Sequence, residues 1–235
     1  MIVSIGQPAY LPWLGYLDRI ARSDLHVVLD HVPMDHSSKT KFANRNKVRT
    51  PDGWCWLTVP ILAKGEARHL PLAELEIVND EAWTEKHWRT LAANYARAPH
   101  FADHGDFFRA TYETEWRRLA RLCRRITDHL LDVFGIGTPL VRSSELAAAG
   151  AKDELLVAIC REVGGTTYLS GPFGRDYIRP ELFAAAGVEL AFHDFEHPTY
   201  GQAFSGFEPH MSAVDLLFNH GPASRGILTG ERLAA

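Results

Sequence analysis

The sequence lacks several features that would assign it directly to a class of protein. Its three cysteines are widely spaced and form no Cys-x-x-Cys pair, which excludes zinc ribbons and thioredoxin-type motifs. No run approaches about 18 uninterrupted apolar residues, and the first residues carry neither the basic nor the apolar region of a signal peptide, so no membrane span is predicted. Scattered cysteines suit a reducing compartment, and we expect a cytoplasmic protein.

The charge and composition are also those of an ordinary globular protein. A net charge of −4 provides no overall basic field that would attract nucleic acid. Of the 235 residues, 46% are hydrophobic and 23% are charged, and no internal repeat is present. We predict a single α/β domain over residues 1–221 with a helical insertion at about 81–136, followed by a C-terminal tail over 222–235.

The N-terminal residues predict one strand–helix–strand unit. Residues 2–5 form a short apolar strand, 17–23 an amphipathic helix and 25–29 a second apolar strand, and a loop rich in proline and glycine joins the first two. Open parallel sheets bind ligands beyond the carboxyl ends of their strands. The residues predicted to contact substrate at these ends are Gln7, Trp13, Tyr16 and Asp30, with Tyr10 as a candidate catalytic residue.

Further along the chain, strand and helix patterns alternate, which indicates a mostly parallel, Rossmann-like sheet. The strand candidates are residues 54–60, 70–78, 139–141, 166–169 and 188–195, and the helix candidates are 114–134, 152–163, 180–186 and 212–220. The helix over 114–134 is the clearest, because apolar residues recur at three- and four-residue spacing. Arginines on its opposite face predict either RNA contacts or an ordinary solvated face.

The layout of the first unit is similar to that of the nucleotidyltransferases of the HUP class, which place His-x-Gly-His after their first strand. The matching residues here are Trp13-Leu14-Gly15-Tyr16, so the glycine is kept and both histidines are missing. Those histidines stabilise charge on the transferred phosphate. A HUP-like sheet is therefore compatible with the sequence, whereas adenylyl transfer by that mechanism is not expected.

A basic segment over residues 39–47 is the second candidate site. Arginine forms bidentate hydrogen bonds with phosphate or carboxylate, and lysine adds a point charge. One interpretation is an anion-binding loop in which Lys41, Asn44, Arg45 and Asn46 contact the substrate. The other interpretation is a solvated basic loop, since long polar connections are common at protein surfaces.

The third candidate site lies in the C-terminal half. Ser170 and Gly171 end a predicted strand, and their turn can offer backbone N–H groups to an anion, although no Gly-x-Ser-x-Gly motif marks the serine as a nucleophile. His197 is either a proton-transfer group or a hydrogen-bonded structural histidine. Tyr200 and Gln202 are predicted to contact substrate beside it. If His193 and His197 lie on a strand, Asp194 and Glu196 between them point to the opposite face of that strand. These four side chains would then not surround one ion, so no catalytic metal is predicted.

A series of ordered motifs covers roughly residues 1–221. They are Gln7-Pro8, Tyr10, Leu11-Pro12-Trp13-Leu14-Gly15-Tyr16, Ser23-Asp24, Asp30, Asn44-Arg45-Asn46, Trp56-Leu57-Thr58-Val59-Pro60, Ser143-Ser144-Glu145-Leu146, Tyr168-Leu169-Ser170-Gly171, His197-Pro198 with Tyr200 and Gln202, and Ser212-Ala213-Val214-Asp215-Leu216-Leu217 with Asn219 and Gly221. With these motifs the chain resembles the WbqC-like protein family. Ala9 departs from the pattern, because many relatives carry a polar or larger residue there, and this change would alter the ligand surface beside Gln7.

The resemblance implies a role in surface-polysaccharide or natural-product biosynthesis and transfer of an aminoacyl group, such as glycine, to an amino sugar. We therefore predict an acyl or aminoacyl transferase that acts on an amine of a sugar or small metabolite. His197 would relay the amine proton, while Gln7, Tyr10 and Ser170 would orient the acyl group. No resident cofactor is assigned; the acyl donor would be bound to a carrier protein, to CoA or to tRNA.

Two alternatives remain open from the sequence. The first is a nucleotide-dependent transferase or ligase with a HUP-like pocket, which the missing histidines disfavour. The second is a non-catalytic protein that binds a nucleotide-sugar or a carrier-bound intermediate. Neither the donor and acceptor nor the oligomeric state is specified by the sequence. For each function we predict a single cleft, lined by Gln7, Tyr10, Asn44, Arg45, Ser170 and His197.

Overall fold

The alternation of strands and helices produces a parallel sheet with helices on both faces. A computed structural model describes residues 1–34, 42–62, 65–79 and 82–230. In chain order, the strands in these ranges are β1 (Ile2–Gly6), β2 (Leu25–Val28), β3 (Arg45–Thr50), β4 (Gly53–Thr58), β5 (Leu140–Arg142), β6 (Thr167–Ser170) and β7 (Glu189–Phe192). The α-helices are α1 (Leu14–Ala21), α2 (Trp83–Tyr95), α3 (Phe101–Glu113), α4 (Leu119–Val133), α5 (Lys152–Glu162), α6 (Pro180–Ala185), α7 (Ala213–His220) and α8 (Ser224–Thr229).

The main sheet contains five strands in the order β5-β2-β1-β6-β7, and every neighbouring pair is parallel. Numbered along the chain within this sheet, the order is 3-2-1-4-5, as in the first five strands of a dinucleotide-binding sheet. The predicted α/β, mostly parallel, Rossmann-like fold is confirmed. The direction of strand order reverses between β1 and β6, so these two strands form the topological switch point.

Two hydrophobic layers cover the sheet. On one face, α5 and α6 pack against the apolar side chains of the central strands, including Val3, Ile5 and Tyr168. On the other face, a larger core is built from α1, α2, α3, α4, α7 and α8. Leu122, Ile126 and Leu130 are fully buried on one side of α4, while arginines occupy the other side. This two-sided arrangement explains why the apolar spacing in the sequence predicted the helix. A strand with helices on both faces is buried on both sides, which explains the short apolar runs.

A long insertion separates the adjacent strands β2 and β5. It contains an antiparallel hairpin, β3–β4, followed by α2, α3 and α4. The expected loop over residues 39–47 is wrong in its second half, because Arg45 and Asn46 belong to β3. The strand expected over residues 70–78 is also wrong: Leu72–Glu74 form a 3₁₀ turn. Pro71 precedes that turn and has no backbone N–H to donate to a strand ladder.

The end of the chain continues beyond the last expected helix. Residues 222–230, expected as part of a tail, include α8, which packs against α1 and α7 and buries Leu228. Within the described ranges, no helix is both long and apolar enough to cross a membrane.

Candidate functional site

The loop after β1 is fixed to the hairpin by buried polar contacts. Leu11 adopts a left-handed backbone conformation with φ of 46°, which is costly for a residue with a side chain. The Asn46 side-chain amide donates a hydrogen bond to the Leu11 carbonyl oxygen at 2.5 Å, and its Oδ1 accepts one from the Lys47 backbone N–H. Asn46 is fully buried, so in this structure it stabilises the loop and does not face a ligand.

Tyr10 and Tyr16 point into the core. The Tyr10 hydroxyl is hydrogen-bonded to His87 Nδ1 at 2.7 Å and to the Tyr112 hydroxyl at 2.5 Å. The Tyr16 hydroxyl lies 3.2 Å from His26 Nε2. Burial raises the pKa of both tyrosines and lowers the pKa of His26 to about 3 and of His87 to about 4, so both histidines are neutral. The Tyr10 hydroxyl, expected to be catalytic, is enclosed in this network.

The topological switch point holds an arginine that the sequence did not single out. Gln7 and Ser170 lie at the carboxyl ends of the adjacent strands β1 and β6. The guanidinium of Arg19, from α1, lies between the two backbones: a Cβ atom added to Gly6 would be 2.7 Å from its Nη2, and one added to Gly171 would be 2.8 Å from its Nη1. The two glycines therefore leave the space that the guanidinium occupies.

Arg19 is partly buried, and its Nε has no hydrogen-bond partner within the described ranges. A buried donor without a partner is costly, and a ligand oxygen would satisfy it. A single arginine at a strand-end crevice fits a carboxylate or a phosphate oxygen. The sequence carries one signal for this position, namely a glycine at the end of each of the two central strands.

Hydrogen bonds to the buried Asp18 carboxylate hold α1 beside this crevice. His193, which follows β7, has its Nε2 2.6 Å from Asp18 Oδ2, and Arg22 donates to the same oxygen at 2.7 Å. Burial alone would raise the pKa of Asp18, but these hydrogen bonds outweigh it and the pKa lies below its usual value. The backbone N–H of His193 also donates to the Ser170 carbonyl oxygen, so the ends of β6 and β7 are tied together. His193 thus has a structural partner.

A cavity of about 480 Å³ lies next to this crevice, between α4 and the carboxyl ends of β1, β2 and β5. We call it the arginine cavity. It is lined by Pro8, Tyr16, Val28, Asp30, Ala73, Arg118, Ala120, Arg121, Cys123, Arg124, Thr127, Asp128, Leu140 and Arg142. The lining itself contains four arginines and two aspartates, so its own formal charge is positive although the whole chain is acidic. The cavity lies beside the switch point, on the carboxyl edge of the sheet where open α/β sheets bind ligands.

The four arginines differ in their ion pairs. Arg118 lies 3.3 Å from Glu76, Arg124 lies 2.6 Å from Asp128, and the Arg142 Nε donates to Glu145 at 3.1 Å. Among the residues that the structure covers, no acidic side chain pairs with Arg121. Arg121 is also exposed, so its guanidinium is the one in this set that can contact a bound anion without losing a protein partner.

Asp30 and a serine–histidine pair lie at the ends of β2 and β5. The Ser143 hydroxyl donates to Asp30 Oδ1 at 3.2 Å and lies 2.6 Å from His31 Nδ1. Ser144 also donates to Asp30 through its backbone N–H and its hydroxyl. Asp30, expected as a substrate ligand, lines the arginine cavity, but its two oxygens mainly hold the strand ends together. His31 is partly exposed and directly follows Asp30 of that cavity lining.

His197 and its neighbours belong to a separate network. His197 Nδ1 is hydrogen-bonded to the Pro198 carbonyl oxygen, and its Nε2 accepts from the His210 backbone N–H at 3.1 Å. Burial lowers the pKa of His197. Both ring nitrogens are therefore engaged by the backbone, which leaves no lone pair for a substrate proton. Tyr200 and Gln202 both donate to buried Asp215 and thus hold the loop against α7.

The remaining expected site residues are placed as follows. The Asn44 side-chain amide donates to the Val59 carbonyl oxygen, and the Arg45 guanidinium lies 4.3 Å above the ring of Trp56. Trp13 stacks on Phe42, and Lys41 lies outside the described residues. Ser170 is buried and its hydroxyl donates to the Gly171 carbonyl oxygen. Within the described residues, Tyr10 and Asn44 are buried in the core and both His197 ring nitrogens are hydrogen-bonded to the backbone, so these three do not line an open cleft with Gln7 and Arg45.

Metal and thiol chemistry have little support in the part of the chain that the structure describes. That part contains no group of three or more histidine, cysteine or acidic side chains that could hold a metal ion. All three cysteines are free, and burial raises the pKa of each thiol, to about 12 for Cys160. Raised thiol pKa values disfavour nucleophilic thiolates.

Comparison with known proteins assigns the chain to a family without describing a reaction. The model of the WbqC-like protein family matches residues 7–227. The uncharacterized protein Rv1507c of Mycobacterium tuberculosis (strain ATCC 25618 / H37Rv) is 35% identical over 221 residues, which is 93% of this chain and 94% of that protein. No solved structure matches the chain. The chain belongs to the WbqC-like protein family.

Proposed function

We propose that the arginine cavity binds the phosphate-bearing part of an acyl or aminoacyl donor, and that the protein transfers the acyl group to an amine of a sugar or small metabolite. The observation that carries the proposal is the cationic cavity at the carboxyl ends of β1, β2 and β5, with Arg121 free of an ion pair within the described residues. Phosphates of CoA, of a carrier-bound phosphopantetheine or of tRNA would all satisfy this charge.

The Arg19 crevice supplies the second contact of this proposal. It lies at the switch point beside the cavity, and Tyr16 borders both, because its ring is 3.3 Å from the Cβ position of Gly6. A carboxylate or the oxygen of the reacting carbonyl is the right size for one partly buried guanidinium. We therefore assign the donor phosphates to the cavity and the acyl end or the acceptor to the crevice.

His31 replaces His197 as the candidate proton-transfer group. When Ser143 donates its hydroxyl proton to Asp30, its oxygen accepts the Nδ1–H of His31, and the lone pair is then on Nε2 of His31. In acyl transfer the acceptor amine attacks the carbonyl carbon, a C–N bond forms, and the bond to the donor oxygen or sulfur breaks. His31 would take the amine proton and return it to the leaving group.

The biological setting is part of the same proposal. The family resemblance supports a place in surface-polysaccharide or natural-product biosynthesis, and free thiols at Cys55, Cys123 and Cys160 suit the cytoplasm. A second candidate, a non-catalytic protein that binds a nucleotide-sugar or carrier intermediate, is favoured by one observation: Tyr10, expected to be catalytic, is occupied by protein partners. The nucleotide-dependent transferase or ligase remains the third candidate function.

Isothermal titration calorimetry with CoA and with UDP tests the proposed donor site. Arg121→Ala should weaken binding of the preferred probe roughly 10- to 150-fold, as expected when a charged hydrogen bond worth about 1.5–3 kcal/mol is lost. Arg109→Ala is the matched control, because Arg109 is an exposed helix arginine on α3, paired with Glu113. Equal affinities in the two variants would refute the assignment of the cavity.

Turnover assays then separate the three functions. Acyl transfer predicts loss of acyl-CoA coupled to amide formation, with a strong reduction in His31→Gln. Release of pyrophosphate from ATP would instead identify a ligase. Tight binding of UDP-sugar or CoA, without product from any acceptor amine, would identify the binding protein and refute catalysis.

A further inference from the structure

The outward face of the β3–β4 hairpin is rich in tryptophan and positive charge. We call it the hairpin face and define it by Arg45, Lys47, Trp54 and Trp56. The antiparallel register pairs Lys47 with Trp56, and side chains at alternate positions share a face. Trp54 is 42% exposed, which is unusual for so large an apolar side chain.

The cations on this face lie over the tryptophan rings. Lys47 Nζ is 4.2 Å from the ring centroid of Trp54 and 5.7 Å from that of Trp56. The Arg45 guanidinium is 4.3 Å from the ring of Trp56. These cation–π contacts fix the rings and keep positive charge within a few ångströms of them. A ligand that stacks on either ring would therefore be next to a cation.

The two tryptophan rings are part of a series of neighbouring aromatic rings. The centroid of Trp54 is 5.7 Å from that of Trp56, which is 6.5 Å from Phe42. Phe42 stacks on Trp13 at 4.4 Å, and Trp13 is 5.3 Å from Tyr16, which lines the cavity.

A groove of about 780 Å³ runs between the hairpin and α2. Trp56 and Thr58 form one wall, and α2 contributes Lys86 and Arg89 to the other. Among the described residues of this lining, Glu85 is acidic, and it is paired with Arg89 at 2.6 Å. Counted over the described residues, the hairpin face and the groove together carry more positive than negative charge.

We propose that the hairpin face and this groove bind a single-stranded nucleic acid. Alternating rings and cations are the recognition chemistry of single strands, in which bases stack on aromatic side chains while lysine and arginine contact the backbone phosphates. A double helix would hide its base faces, and a neutral sugar chain has no phosphates for lysine and arginine to contact. The inference does not depend on the proposed transferase activity, because it concerns a surface outside the arginine cavity.

Fluorescence anisotropy with labelled oligouridylate tests the proposal on the full chain. Contact of about three phosphates by the cations predicts a salt slope of about −2, so affinity should fall roughly 20-fold between about 50 and 200 mM salt. Trp54→Ala should weaken binding roughly 5- to 150-fold, the span expected when stacking of one base is lost. Trp54→Phe should restore part of that loss.

Two control variants test whether oligouridylate binds at the hairpin face. Phe173→Ala removes an aromatic side chain that is 77% exposed and lies after β6, so it should leave oligouridylate affinity unchanged. Arg121→Ala should also leave it unchanged, because its guanidinium belongs to the arginine cavity. Absence of wild-type binding, equal binding of a duplex, or equal affinity in Trp54→Ala would each overturn the proposal. A loss confined to Arg121→Ala would assign the nucleic acid to the cavity instead.

Discussion

Acidification should destabilise this protein strongly between pH 6.5 and about pH 4.5, because two buried histidines cannot accept protons while it is folded. His26 is fully buried between Ser4 and Tyr16, and burial together with the charge of Arg19 lowers its pKa to about 3. His87 is hydrogen-bonded to Tyr10, and burial lowers the pKa of His87 to about 4. In the unfolded chain both would titrate near 6.5.

The sign and size follow from proton linkage. Each folded-state pKa lies below its unfolded value, so the unfolded chain binds more protons, and the stabilisation present above pH 6.5 is lost as pH falls toward the folded pKa. Protonating one histidine with a pKa of 6.5 at about pH 4.5 releases about 2.3 kcal/mol more than at pH 6.5. Together the two histidines should remove about 4 kcal/mol from the free energy of unfolding, a large part of the usual 5–15 kcal/mol. The lowered pKa of Asp18 affects the free energy of unfolding at lower pH, so it does not contribute between pH 6.5 and about pH 4.5.

Urea denaturation at a series of pH values measures this loss directly. His26→Asn and His87→Asn should each reduce the slope of unfolding free energy against pH by up to about 1.4 kcal/mol per unit. His69→Asn, which removes an exposed histidine, is the control and should keep the wild-type slope. The same free energy at both ends of the range, or equal slopes in all four proteins, would refute the burial argument.

Two further predictions test the residues that the structure reassigns. Asn46→Ala should lower the free energy of unfolding by roughly 1–3 kcal/mol, because the buried Leu11 carbonyl oxygen loses its donor, whereas Arg45→Ala, its partly exposed neighbour, should cost less than about 1 kcal/mol in the same urea denaturation. Similar losses of unfolding free energy in Asn46→Ala and Arg45→Ala would contradict the role of Asn46 in stabilising the loop after β1. His197→Gln should leave CoA or UDP affinity unchanged in calorimetry while lowering stability by roughly 1 kcal/mol; a marked loss of affinity with normal stability would return His197 to the site.

The sheet could be read from the sequence because of where its strands are buried. Strands covered by helices on both faces are short, mostly apolar runs bounded by glycine or polar residues, and residues 2–5 and 25–29 have this form. Residues 166–169 instead combine two threonines with Tyr168 and Leu169, residue types that favour strands. Strand β3 could not be read in this way. Its sequence, Arg-Asn-Lys-Val-Arg-Thr, is polar, and Asn46 and Arg49 are buried only because backbone oxygens elsewhere in the fold accept their hydrogen bonds.

Only the location of the candidate site could be predicted from the sequence. The carboxyl ends of β1 and β2 were expected to matter, and both the crevice and the arginine cavity lie there. Arg19 and Arg121 could not be selected, because nothing local distinguishes them from other helix arginines. Their importance depends on which helix faces the strand ends and on which neighbouring acids pair elsewhere. The sequence also could not show that the polar groups of Tyr10 and His197 have protein partners, since polar aromatic residues near strand ends can hydrogen-bond to each other or to the backbone.

The wide sequence separation within the sheet has a consequence for protein synthesis. The central strand β1 pairs with β6 at Ile2 and Thr167, which are 165 residues apart. At a ribosomal rate of about 5–20 residues per second, β1 would wait roughly 8–33 s before its second neighbour is made. During that interval one edge of an apolar strand is unpaired and open to other chains. Expression yield of this protein should therefore depend on elongation speed and on chaperones that shield nascent strands.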